Sequence, residues 1–147
     1  MKIAVISDIH ANLEALEAVL ADIESQQPDR IICLGDLVGY GPDPDEVVRR
    51  VRESGITCVL GNHEAALSSE KALGWLNFLA RENNIATKAL LSDQSLAYCA
   101  ALELACSFEN AFFVHGCPPD SIQRYLYKLS DEDAADIAAK LPEKFFF

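Results

Sequence analysis

The 147-residue chain contains three histidines, and each stands just after an apolar run, beside Asp, Asn or Gly. The three settings are Ser7-Asp8-Ile9-His10, Gly61-Asn62-His63-Glu64 and Val114-His115-Gly116. A fourth tip, Leu34-Gly35-Asp36-Leu37-Val38-Gly39-Tyr40, puts a carboxylate after Arg30-Ile31-Ile32-Cys33, where it is expected to be presented rather than buried. Carboxylate oxygen, amide oxygen and imidazole nitrogen are the donors that hard or borderline divalent ions take, so Asp8, His10, Asp36, Asn62 and His115 form a ligand inventory. Asp8 and His10 are two apart; along an extended chain their side chains point to one side and can grip one cation. Each residue has a plainer alternative: Asp8 as a helix cap, His10 or His63 as a satisfied loop histidine, Asp36 as an Asp turn, Asn62 as an N-cap. Together those alternatives require four unrelated accidents.

The elements that must carry these tips are legible from periodicity. Lys2–Ile6, Arg30–Cys33 and Ile56–Leu60 are short, β-branched-rich runs that read as buried strands. Between them, Asn12 caps a helix with Leu13, Leu16, Leu20 and Ile23 on one face. Asp43 caps a second, with Pro44 at its first position and Gly55 past its end. The order β-α-β-α-β with short connections implies right-handed parallel crossovers, which would gather the first three tips along one sheet edge. Further on, Lys71–Arg81 reads as a helix, Asn84–Leu91 as a shorter one, and Ser92 or Asp93 as the cap of another turn or two. Leu104–Phe108 and Ala111–Val114 read as a hairpin with a tight turn, its second arm ending in His115. Ser130 opens a last helix through Lys140, with Pro142 beyond it.

Composition narrows the class. A chain of this length buries roughly 68–70% of its unfolded surface, as a single domain does. The formal net charge of -11 repels polyanions, so duplex nucleic acid is not an expected partner. Five cysteines without paired spacing fit a reduced, cytoplasmic setting. Cys33 and Cys58 read as small apolar strand residues, and Cys117 stands near the His115 tip. No apolar stretch approaches the ~20 residues of a membrane span, and the first one meets Asp8 too soon for a signal peptide.

Asp8-x-His10, Gly35-Asp36-x-x-Gly39, Gly61-Asn62-His63-Glu64 and His115-Gly116, in that order, resemble the motifs of the calcineurin-like metallophosphoesterases. Gly39-Tyr40-Gly41-Pro42 resembles in particular their small bacterial phosphodiesterase branch. The resemblance implies an α/β fold of two packed sheets flanked by helices, with residues 1–147 as one metallophosphoesterase-like domain. It implies two divalent ions, Mn foremost, with Fe, Ni or Zn as other candidates. Asp8 and His10 would hold one, Asn62 and His115 the other, and Asp36 would bridge them. The implied chemistry is hydrolysis of a small phosphodiester or phosphomonoester by water activated between ions ~3.5–4 Å apart. His63 would protonate the leaving oxygen or stabilise its charge.

Three departures modify this expectation. Ala11 replaces the family's usual Gly, which would narrow the approach to the metals. Gly39 stands where the protein Ser/Thr phosphatases have Asp followed by Arg, which counts against a phosphoprotein substrate. The family's Gly-His-x-His motif, with one more ligand for each metal, does not follow. Phe145–Phe147 resembles the opening of the strand that would deliver it, so the chain is expected to be a domain cut short. The alternative implied is the same fold holding one metal weakly through Asp8, His10 and Asp36 without turnover.

Overall fold

Three short parallel strands form the first sheet of the computed structural model, which describes residues 1–147. They are β1 (Ile3–Ile6), β2 (Arg30–Cys33) and β3 (Thr57–Cys58), adjacent in that order, with Ile6 opposite Cys33 and Cys33 opposite Cys58. Each crossover is a helix built as the sequence dictates. In α1 (Leu13–Gln26) the Asn12 side-chain oxygen Oδ1 accepts from Ala15 N at 3.0 Å, and Leu16, Leu20 and Ile23 are buried. In α2 (Pro44–Glu53) Val47, Val48 and Val51 are fully buried, each contributing about 1.5–3 kcal/mol on leaving water. Asp43 precedes this helix but its side chain makes no capping bond. Instead Asp45 Oδ1 accepts from Ser92 N and Oγ at 2.8 and 2.6 Å, pinning α2 to the start of a later helix.

The third strand is shorter than the run Ile56–Leu60 suggests. Val59 bridges Glu103, and Leu60 N donates to Glu103 O at 2.7 Å, so the chain leaves β2 to meet the second half of the molecule. The helix expected over Lys71–Arg81 is also divided. After α3 (Asn62–Ser68) come α4 (Glu70–Leu73) and α5 (Phe78–Lys88), separated at Gly74-Trp75-Leu76. Asn77 starts α5 by accepting from Ala80 N at 3.0 Å, so a glycine and a strong cap outweigh the apolar spacing across them. Residues 84–88 continue α5, and α6 (Asp93–Ala100) follows with Ser92 as its cap.

The second sheet is the expected hairpin with one strand added. β4 (Ala105–Phe108) pairs antiparallel with β5 (Ala111–Val114) around a turn in which Glu109 has φ 56°. β6 (Phe145–Phe146) pairs parallel with β5, and the Phe147 ring stacks on Phe113 at 5.3 Å. Between the two sheets lie buried Ile32, Ala111 and Phe113, flanked by Ile3, Leu34, Cys106 and Phe108. The fold is thus an α/β sandwich of two small sheets with helices outside. α7 (Asp131–Ala138), capped by Ser130, ends before Lys140. No helix is long and apolar enough to cross a membrane.

Candidate metal centre

All four tips converge at the C-terminal edge of the first sheet. The loop after β1 is zipped to the loop after β2 by Asp8 N to Gly35 O, His10 N to Asp36 O and Ala11 N to Leu37 O, at 3.1, 3.0 and 2.7 Å. These bonds extend the β1–β2 ladder past the strands, but the backbone does not stay extended. Asp8, His10, Ala11 and Asp36 have φ of 55°, 49°, 56° and 53°, a left-handed region that costs a non-glycine residue about 1–2 kcal/mol. Asp8 and His10 therefore meet through a coiled loop and not through the alternation of a strand. Backbone strain of this kind clusters where side chains must be aimed.

His10 Nε2 lies 3.7 Å from Asp8 Oδ1 and 3.8 Å from Asp36 Oδ2. His115, delivered by β5 from the other sheet, has Nε2 3.5 Å from Asp36 Oδ2 and 2.9 Å from Asn62 Oδ1. Asp36 is buried, contrary to the expectation of a presented carboxylate, because the loop after β3 folds over it: His63 N donates to Asp36 Oδ1 at 2.9 Å. Two sets of ligand atoms fall within 4.8 Å of one another: His10, Asp36 and His63, and Asp8, Asp36 and His115. Asp36 belongs to both.

The protonation pattern fits cations. Nδ1 of His10 faces the Val38 carbonyl and Nδ1 of His115 the Leu34 carbonyl, both at 2.9 Å. An Nδ1–H donated to a carbonyl leaves Nε2 as a lone pair, the usual arrangement of a ligating histidine. In that neutral tautomer His115 Nε2 turns its lone pair toward Asn62 Oδ1 and Asp36 Oδ2, a convergence that a positive ion would relieve. Burial, followed by the charge of Asp8, raises Asp36 to about 7 although His63 N–H opposes it, so its carboxylate needs a counter-charge at neutral pH. Burial lowers His63 to about 4, with His10 and His115 adding to the effect. Its Nδ1 is buried without a hydrogen-bond partner.

Residues 1–144 match the calcineurin-like phosphoesterase family. The chain belongs to that family. It is 41% identical over 102 residues to an uncharacterised protein of Methanocaldococcus jannaschii, covering 69% of this chain and 42% of the other. It is 30% identical over 138 residues to serine/threonine-protein phosphatase 1 of Salmonella typhimurium, covering 85% of this chain and 63% of that one. Over 70 residues it is 39% identical to the symmetrical bis(5'-nucleosyl)-tetraphosphatase of Pectobacterium atrosepticum, 46% of this chain and 25% of that protein. Among solved structures, a metallophosphoesterase from Sphaerobacter thermophilus superposes with TM-score 0.79 at 38% identity, covering this chain fully and 59% of its own. The chain therefore spans about half the length of such relatives.

One residue of this chain that the sequence reading leaves without a role is Glu64. It is buried, and its carboxylate accepts from Asp36 N at 2.8 Å, Val38 N at 3.1 Å and Gly61 N at 3.1 Å. It thereby ties the loop after β2 to the loop after β3. The readable signal is its place three residues past Gly61 at a helix start, where a Glu reaches back to the cap N–H. Gly61 is required by the same closeness, since a Cβ there would collide with Asp36 Oδ1. Ala11, by contrast, does not narrow the approach. It is fully buried away from the cavity over the site, and the cost of its substitution lies in the left-handed backbone. Cys33 and Cys58 are adjacent strand residues; the Cys33 hydrogen bond and then burial push the Cys58 thiol up, and neither faces the site. Cys117 is buried beyond it.

Proposed function

We propose that this chain forms the core of a metal-dependent phosphoesterase acting on a small phosphodiester or phosphomonoester at a two-ion centre. Asp8 and His10 would hold one ion and Asn62 and His115 the other, with Asp36 shared between them. The observation that carries this reading is the convergence of His115 Nε2 on Asn62 Oδ1 and Asp36 Oδ2, at 2.9 and 3.5 Å, beside that of His10 Nε2 on Asp8 Oδ1 and Asp36 Oδ2. Two divalent ions, of which manganese suits this oxygen and imidazole set, would supply water activation and charge neutralisation at the phosphoryl oxygens. The chain's own groups do the rest. Val38 and Leu34 carbonyls fix the tautomers of His10 and His115, and Glu64 fixes the loops that present Asp36 and Asn62. His63 is neutral at neutral pH, which favours donation of a hydrogen bond to the leaving oxygen over release of a proton.

The test is release of nitrophenol from bis(p-nitrophenyl) phosphate with Mn²⁺. The expected result is release that stops on chelation and falls by about a hundredfold or more in Asp36→Asn, since even an outer-shell partner is worth about 10–100-fold. Release no greater than that of Asp36→Asn overturns the reading.

A further inference from the structure

We propose that Asn83 of α5 is a positioning residue for His63, acting through Tyr40, an assignment that rests on the proposed function only in giving His63 its task at the leaving oxygen. The histidines of the site are held unequally. The Val38 and Leu34 carbonyls orient the rings of His10 and His115, whereas Nδ1 of His63 is buried without a hydrogen-bond partner. The plane of the His63 ring is therefore set by where its backbone is fixed and by what its faces touch.

Both controls come from α5. This helix runs beside the cavity over the site, which Asn77 and Ala80 line together with Tyr40, His63 and Lys128. Its buried face is Ala80, Asn84 and Thr87, at helical spacing, and two of those three are polar. Asparagine is a poor helix former and a buried amide costs free energy unless bonded, so packing alone does not explain two asparagines in succession at mid-helix. Departures from local preference of this kind gather at functional sites. Asn84, only 1% exposed, fixes the backbone by donating from Nδ2 to the His63 carbonyl at 3.0 Å. Asn83 Oδ1 accepts from Tyr40 N at 2.5 Å and from Thr87 Oγ1 at 3.4 Å. Tyr40 needs that anchor. It has φ 65°, a region that a bulky side chain rarely occupies, and at 54% exposed it is not held by burial. So anchored, its ring centroid lies 4.9 Å from that of His63 and 4.7 Å from that of His10, and the two imidazoles are 4.9 Å apart. Three rings wedge one another, and the position of the outermost is set through Asn83. Displacing a reacting group by about 1 Å costs about a hundredfold in rate, so Asn83 bears on turnover without touching substrate.

The test uses the full chain and three substitutions at Asn83, which is only partly buried. Asn83→Leu keeps the size and removes the acceptor, Asn83→Ala removes it without adding apolar bulk, and Asn83→Asp retains it. In EDTA, nuclear Overhauser contacts between the Tyr40 and His63 rings are expected in the parent chain and in Asn83→Asp, and should be lost in Asn83→Leu and Asn83→Ala. With saturating Mn²⁺, kcat for bis(p-nitrophenyl) phosphate should fall about ten- to a hundredfold in the latter two and recover in Asn83→Asp, while KM and Mn²⁺ affinity stay near those of the parent. In a His63→Ala background, Asn83→Leu should change kcat by less than about twofold, because a residue acting through His63 then has nothing to act on. Ring contacts absent from the parent, surviving in Asn83→Leu and Asn83→Ala, or lost in Asn83→Asp as well overturn the assignment. So does a fall in kcat that is as large in the His63→Ala background. A parent chain without metal-dependent release overturns the proposed function instead, and the ring contacts still decide whether Asn83 places His63.

Discussion

Asp36 and Glu64 share one desolvated region, and burial pushes both carboxyls up to about 7 in the absence of metal. A carboxyl whose folded pKa lies above its ordinary value binds more protons folded than unfolded between those two values, so folding stability falls as pH rises through that range. His63 acts oppositely: lowered to about 4, it makes stability rise with pH up to its ordinary value of 6.5. Two carboxyls outweigh the one imidazole where their ranges overlap, and only the carboxyls act above 6.5. Metal-free protein should therefore lose stability as pH rises from about 4.5 to about 7 in urea melts, and Mn²⁺ should abolish that loss by favouring the ionised pair. A metal-free stability that is flat or rising across this window contradicts the burial of both carboxyls. Gly39 offers a second residue-level test. It has φ 88°, and a Cβ there would collide with His63 Nδ1. Gly39→Ala should cost about 1–3 kcal/mol of stability and displace the imidazole. Turnover should fall by about a hundredfold while calorimetric Mn²⁺ affinity stays near that of the parent chain, which separates the role of His63 from metal holding.

At the scale of elements, what could be read from the sequence was whatever one residue type or one period decides. Asn12, Ser92 and Ser130 start helices where their side chains predict, and the valines of α2 face inward at helical spacing. The hairpin and the four tips were legible because an apolar run followed by a polar one is a local pattern. The shortening of β3 was not, because Val59 bridges Glu103 and Leu60 N donates to it, more than forty residues away and silent in any local window. The break at Leu76-Asn77 was readable in principle from Gly74 and Asn77 but was masked by Leu73, Leu76, Phe78 and Leu79. Burial of Asp36 depends on His63 N–H and Glu64 arriving from another strand, so no spacing around Asp36 encodes it. The same long-range logic governs His115, whose Nδ1 contacts Leu34 in the opposite sheet. Phe113, two residues earlier on β5, is fully buried between the sheets. Phe113→Ala should cost about 3–5 kcal/mol in denaturant melts and weaken Mn²⁺ binding as well, since the cavity lets β5 shift and carries His115 off Asn62. Loss of stability with unchanged Mn²⁺ affinity would show that His115 is placed by its own loop and not by the packing of β5.

The whole molecule sets a field against the anionic esters proposed as its substrates. Twelve Lys and Arg face twenty-three Asp and Glu, giving the formal charge of -11, and the cavity mouth carries one lysine. Such a field draws divalent cations toward the site and repels phosphate esters from it. Screening weakens both effects, because the Debye length shortens to about 8 Å at physiological ionic strength. Raising NaCl from about 0.01 to 0.15 M should therefore move two quantities in opposite directions. Mn²⁺ affinity, measured by calorimetry, should fall. With Mn²⁺ held saturating, kcat/KM for an anionic diester should rise and kcat should stay constant, since the field acts on approach and not on the bound complex. A kcat/KM that falls with salt under saturating Mn²⁺ would mean that Lys128 and the bound ions invert the local potential and steer the substrate, so that the distant acidic surface no longer governs encounter.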